Sequence, residues 1–254
     1  MKKTIGLVAA MLLLATGLVE AQQAQPPGVV QLFMCQFNEG KTADDAFALM
    51  EELGARVTER LPGFSLFLWL PMRGNYEADY VWGVTSTDLD EMATGLDSYY
   101  ADSAAFMNPR FAAVNERCSS VVTLAKRVKD GAIGNTGDRT PDAVVETFAC
   151  SVNAGSTMAD VNSAVDFWKT QVASLGSDAL GKYEATLLTP FRGGDSQVDF
   201  AWVGASPNLA TWARGASEYY ESKAGQAADA RFNKVSRCRN ALWSGFWIVP
   251  PAAQ

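Results

Sequence analysis

Arg73 and Arg192 each follow a Pro-x step and precede a Gly, where a guanidinium can clamp a carboxylate or phosphate through two parallel hydrogen bonds. The alternative is an Arg that pairs with nearby Asp79 or Asp199 and fixes a hairpin. Those two aspartates stand three residues before Trp82 and Trp202. A buried carboxylate there would have a raised pKa and could act as a general base, whereas an Asp that opens a strand accepts backbone or Arg hydrogen bonds. Trp82 and Trp202 line a ligand pocket if they face open space and fill the core if they do not. Tyr99 and Tyr219 offer phenol donors to a ligand, or else pack a helix end in which one ring of each Tyr-Tyr pair is buried. Arg110-Phe111 and Arg231-Phe232 read as helix surface, Phe inward and Arg outward.

The absence of histidine removes Ser-His-Asp and Cys-His catalysis, His-ligated haem and His-containing zinc sites together. The chain carries no G-x-S-x-G elbow, Walker loop, G-x-G-x-x-G or EF-hand loop, so the sequence calls for no cofactor and no metal. Chemistry is left to Asp, Glu, Arg, Lys, Tyr, Ser and Trp. A formal charge of −7 argues against nucleic acid or an anionic membrane surface as partner, since both reward clustered Lys and Arg. A small-molecule ligand is the partner these residues suggest; monomer and homo-oligomer both remain open.

The first 21 residues have the form of a secretory signal: Lys2 and Lys3, an apolar run from Ile5 to Leu14, and the small-residue cleavage site Val19-Glu20-Ala21. A bacterial periplasmic address follows, with full secretion as the alternative. No later stretch has the ~20 apolar residues needed to span a bilayer, so no membrane insertion is expected. In an oxidising compartment the four cysteines are expected to pair.

The elements that must position these residues occur twice. Val29-Val30, Phe33, Cys35, Asn38, Gly40, Thr42 and Asp45 recur as Val144-Val145, Phe148, Cys150, Asn153, Gly155, Thr157 and Asp160. Pro71-x-Arg73-Gly74, Asp79-x-x-Trp82, Tyr99-Tyr100, Arg110-Phe111 and Arg117-Cys118 recur in the same order as Pro190-x-Arg192-Gly193, Asp199-x-x-Trp202, Tyr219-Tyr220, Arg231-Phe232 and Arg237-Cys238. The Gly- and Asp-rich stretch 129–142 has linker composition. The expected organisation is leader 1–21, first repeat 22–128, linker 129–142 and second repeat 143–254.

In the first copy, Val29 to Phe37 reads as a strand, and Thr42-x-x-Asp45 as a capping box opening a helix that Pro62-Gly63 stops. Phe64 to Met72 and Asp79 to Thr85 read as strands, Asp88 onward and Ser103 to Glu116 as helical, and Ser119 to Arg127 as a closing strand. That order is the split βαβ pattern of a ferredoxin-like sheet, whose first and last strands are antiparallel neighbours. Four cysteines allow three pairings. The repeat and the strand order together select Cys35–Cys118 and Cys150–Cys238.

Two tandem units of this kind resemble the dimeric α+β barrel superfamily, in which two ferredoxin-like sheets face each other with helices outside. The resemblance implies an α+β fold with the two units facing as a barrel. It spans activities from cofactor-independent monooxygenases and isomerases to His-ligated haem enzymes and binding proteins, and this chain cannot supply the haem branch's histidine. The leading functional expectation is an exported protein binding a small anionic or aromatic ligand, between sheet and helices or between the two sheets. The alternatives are a cofactor-independent enzyme of the same fold and a structural or interaction protein.

Overall fold

The structure, a computed structural model, describes residues 28–74, 77–134, 136–194 and 197–251. The leader at 1–21 lies outside them. In the first repeat the order is β1 (Gly28–Phe37), α1 (Ala43–Arg60), β2 (Ser65–Gly74), β3 (Tyr80–Ser86), α2 (Leu89–Ser98), a π-helical turn (Tyr99–Ser103), α3 (Ala104–Val114) and β4 (Asn115–Lys129). The second repeat follows as β5 (Ala143–Val152), α4 (Met158–Leu175), α5 (Asp178–Lys182), β6 (Glu184–Gly193), β7 (Phe200–Ser206), α6 (Leu209–Glu221), α7 (Lys223–Val235) and β8 (Ser236–Val249).

Both capping boxes form: the backbone N–H of Thr42 donates to Asp45 Oδ2 at 2.9 Å, and that of Thr157 to Asp160 Oδ2 at 2.8 Å. The strands run in the cyclic order β1-β3-β2-β8-β5-β7-β6-β4, all pairings antiparallel, and close into a barrel. The two sheets therefore do more than face each other. β2 of one bonds β8 of the other and β4 bonds β6, so closure leaves no free strand edge among the described residues.

Alternation along each strand divides the side chains between two cores. On β1, Val29, Phe33, Cys35 and Phe37 point outward to α1, while Leu32 and Met34 point into the lumen. The lumen is packed by Val81, Val145, Trp243 and Trp69, with Ile133 of the linker added. The space between the sheets is thus filled core, as in other barrels of this strand number. That corrects the expectation of a ligand site there, leaving the layer between sheet and helices.

Cys35 and Cys118 are register partners on β1 and β4, and Cys150 and Cys238 on β5 and β8. Both bridges form as the repeat selects, with Cα separations of 4.1 and 4.0 Å. The segment between repeats is pinned towards its C-terminal end: buried Asp142 accepts from Trp247 N–H at 2.6 Å, and Arg139 reaches Glu51 on α1 at 3.0 Å.

β4 begins at Asn115, four residues before the expected strand, and α3 ends correspondingly early. Residues 116–120 are exposed and polar, so no apolar alternation marks them as strand. Asn115 itself is buried, accepting from the Tyr80 hydroxyl at 2.6 Å and donating to Phe111 O at 3.0 Å.

Candidate active site

A cavity of about 360 Å³ opens between the outer face of β5 and β7 and the helices of the second repeat, a size typical of small-molecule sites. The period-two alternation of β5 sends Glu146, Phe148 and Cys150 to this face, and β7 adds Phe200 and Trp202. α4 contributes Trp168, α6 contributes Trp212, Tyr219 and Tyr220, and α7 contributes Asp229 and Phe232. Tyr183 enters from the turn before β6. Lys129 fixes that turn by donating to the carbonyls of Gly181 and Tyr183 at 2.9 and 2.8 Å.

Three polar contacts organise the cavity. The Trp202 indole N–H donates to the Tyr183 hydroxyl at 3.0 Å. The Tyr219 hydroxyl donates to Asp229 Oδ1 at 2.8 Å. The Trp212 indole N–H reaches Glu146 Oε2 at 3.5 Å, a long and weak contact. Burial pushes the Glu146 carboxyl up, with Asp229 adding to the rise, and burial likewise lifts Asp229 against the Tyr219 hydrogen bond. The Tyr183 and Tyr219 phenols are driven well above the ordinary tyrosine range by burial, and Tyr220 is pushed up to about 12 for the same reason. At neutral pH these three are hydrogen-bond donors and remain protonated.

The first repeat places different side chains on the same scaffold. Gln31 stands where Glu146 does, Asn108 where Asp229 does, Phe64 where Tyr183 does and Met92 where Trp212 does. The Tyr99 hydroxyl donates to Asn108 Oδ1 at 2.9 Å, repeating the Tyr219–Asp229 bond with an amide in place of the acid. Phe33 stacks on Trp82 with ring centroids 3.9 Å apart, and Phe111 covers the other side at 5.3 Å. In the second repeat Trp202 meets Phe232 and Trp168 edge-on, and the space opens beside it. With Phe64 in place of Tyr183, the buried indole nitrogen of Trp82 has no hydrogen-bond partner.

Of the residues singled out in the sequence, Trp202 and Tyr219 line this cavity. Trp82 and Tyr99 hold the corresponding places in the first repeat, where the layer is packed. Arg73 and Arg192 lie at the exposed ends of β2 and β6, Arg192 with its guanidinium 5.6 Å above the Phe191 ring. Asp79 Oδ2 accepts from Phe37 N–H at 2.8 Å and Asp199 Oδ2 from Val152 N–H at 2.7 Å, each tying its hairpin to the neighbouring strand. None of these four charged residues lines the cavity. The cavity is lined by two carboxylates and no Arg or Lys, so it offers an anionic ligand no positive partner.

Glu146, Tyr183, Trp212 and Asp229 were not distinguishable by repetition, because each is a place where the copies differ. Setting acid against amide, Glu146 with Gln31 and Asp229 with Asn108, is the signal that finds them. A His-ligated haem does not fit this donor set: the chain has no imidazole and the cavity's two cysteines are bonded to each other.

No protein-family model matches the chain, and no curated protein sequence matches it. Solved structures do. A protein provisionally described as a monooxygenase from Fusobacterium nucleatum superposes with a TM-score of 0.63 at 12% identity, covering 90% of this chain and 97% of that one. A second so described, from Lactobacillus acidophilus, gives 0.56 at 9% identity over 88% and 99%. An anthrone oxidase-like protein gives 0.53 at 12% identity over 90% and 97%. At these identities the likeness carries the fold alone, an α+β barrel of the dimeric type, here closed within one chain.

Proposed function

We propose that the second-repeat cavity is the active site of an exported, cofactor-independent enzyme that takes a proton from a flat aromatic substrate. The observation that supports this most is Glu146: a half-buried carboxylate inside an aromatic cavity, with its pKa raised toward the operating range of a general base. Its counterpart in the first repeat is an amide, Gln31, which cannot act as a base. Tyr183, whose oxygen accepts from the Trp202 indole N–H, supplies a protonated phenol that can donate to the oxygen of an enolate as it forms. The two disulfides favour an oxidising compartment, in keeping with the leader.

The solved structures of similar fold described as monooxygenases and as anthrone oxidase-like favour dioxygen as the second reactant. A methylene activated by two rings and a carbonyl loses a proton to Glu146. The carbanion adds dioxygen to give a peroxide anion, Glu146 returns the proton, and the hydroperoxide loses water. The balance is R₂CH₂ + O₂ → R₂C=O + H₂O. The test is oxygen uptake with anthrone-like carbon acids. The parent should show a rate that rises with pH through a group titrating above the usual glutamate range, and Glu146→Gln should lose about 10²- to 10⁴-fold. Equal rates for both proteins would sink the reading.

A further inference from the structure

We infer that this cavity takes a cationic aromatic: a ring system bearing a protonated nitrogen, seated on the aromatic walls with its charge against Asp229 and Glu146. The inference deepens the proposed active site and rests on that assignment. Three observations carry it.

The charged lining is of one sign. Glu146 and Asp229 both face the cavity, and no Arg or Lys does. Of the cations on the surrounding helices, Lys182 pairs with Asp178 at 2.7 Å, and Arg231 donates to Ser163 Oγ at 2.8 Å while lying over the Phe167 ring. Two carboxylates brought together without a counter-charge are costly, and a ligand cation removes that cost.

The walls are of the kind that bind cations. Trp168, Trp202, Trp212, Tyr183 and Tyr220 surround the acids, and indole and phenol faces attract an ammonium group within about 6 Å of the ring centroid. The same faces stack on a ligand's rings.

The chain also contains its own comparison. In the first repeat, where Phe33 on Trp82 fills the layer, both acids are replaced by amides of nearly the same shape, Gln31 and Asn108. At Asn108 the hydrogen bond survives the exchange, Tyr99 still donating at 2.9 Å, whereas the buried Gln31 Oε1 has no hydrogen-bond partner. At these two places what the second copy adds is negative charge.

The test is a set of three naphthalenes of matched shape, carrying a methylammonium, a methanol and a carboxylate group, titrated against the tryptophan fluorescence of the disulfide-intact chain. The ammonium compound should bind at least fivefold tighter than the alcohol, and the carboxylate weakest. Glu146→Gln with Asp229→Asn, which copies the first repeat and should fold, should bring the ammonium and alcohol compounds to within twofold by weakening the ammonium compound. A preference below fivefold, a reversed order, no binding of any of the three, or a preference that survives in the double variant overturns the inference. Because the readout is binding, it stands apart from turnover: loss of catalysis with the charge order intact would reject the enzyme reading and keep this one.

Discussion

Replacing Gly204 by Ala should open the cavity's polar network from a distance of one methyl group. Gly204 lies on β7, and a Cβ built there would sit 1.7 Å from the Tyr183 hydroxyl oxygen and 2.3 Å from its Cζ. Those atoms cannot share the space, so the ring must leave, and the Trp202 indole N–H loses its acceptor at 3.0 Å. Overpacking of this kind costs about 1–3 kcal/mol. A buried donor left unpaired adds about 1–3 kcal/mol. Relief of glycine's entropy in a strand returns about 0.5–1 kcal/mol, and no positive φ opposes the substitution. The net loss is about 3 kcal/mol, which at ~2–4 °C per kcal/mol for a chain of this size lowers Tm by roughly 6–12 °C. The first repeat supplies the control: Val84 occupies the equivalent place, and Phe64, which has no hydroxyl, stands where Tyr183 does in the same apolar core. Gly204→Ala with Tyr183→Phe should accordingly recover about 1–2 kcal/mol relative to additivity in a double-mutant cycle. Calorimetric melting of the parent, both single variants and the double variant decides it. A single variant within 0.5 kcal/mol of the parent, or strict additivity, would refute the claim that the missing Cβ at 204 is what admits the Tyr183 hydroxyl.

Removing the second bridge with Cys150→Ala and Cys238→Ala frees a loop with a sequence separation of 88 residues. The chain-entropy model gives about 4–5 kcal/mol of lost stability in denaturant unfolding; a loss under 1 kcal/mol would contradict it. For Glu146 and Asp229 the native pKa values lie above the unfolded ones near 4.5 and 3.8, so the native state binds more protons in the window upward from those values. Stability should fall as pH rises through that window and be greatest below it, and Glu146→Gln with Asp229→Asn should flatten this fall. Identical stability-pH slopes for parent and variant would reject the burial argument. Asp199→Ala removes the acceptor 2.7 Å from Val152 N–H and should cost about 1–2 kcal/mol in Tm-derived stability without changing ligand affinity. Lost affinity at unchanged stability would instead put Asp199 at the site. Arg73→Ala with Arg192→Ala should leave binding of a cavity ligand within twofold, since both lie at strand ends away from it; abolished binding would restore the anion clamp.

Much of the fold was legible because duplication made the sequence its own comparison. Matching Cys35 and Cys118 with Cys150 and Cys238 fixed strand order and bridges at once, and Thr42 and Thr157 marked both main helix starts. Barrel closure was not legible, because the β2–β8 and β4–β6 seams join strands with no shared sequence signal, only compatible registers. The start of β4 was hidden by its exposed polar residues. At the site, the search for repetition favoured Arg73, Arg192, Asp79 and Asp199. Their recurrence reflects what both repeats need structurally: two hairpins and two backbone-capping carboxylates. The proposed site sits where one copy departs from the other, and Trp202 was found only because its ring also serves as scaffold in Trp82.

The most direct test of Glu146 as the base uses neither oxygen nor product. Under anaerobic conditions in D₂O, the exchange of the acidic C–H of an anthrone-like compound is followed by NMR with the parent and with Glu146→Gln. The account predicts that the parent accelerates exchange above the buffer rate and that the variant loses about 10²- to 10⁴-fold of that acceleration while binding the compound with similar affinity. Exchange that persists within threefold in the variant, or a parent that never exceeds the buffer rate for any compound it binds, would contradict it.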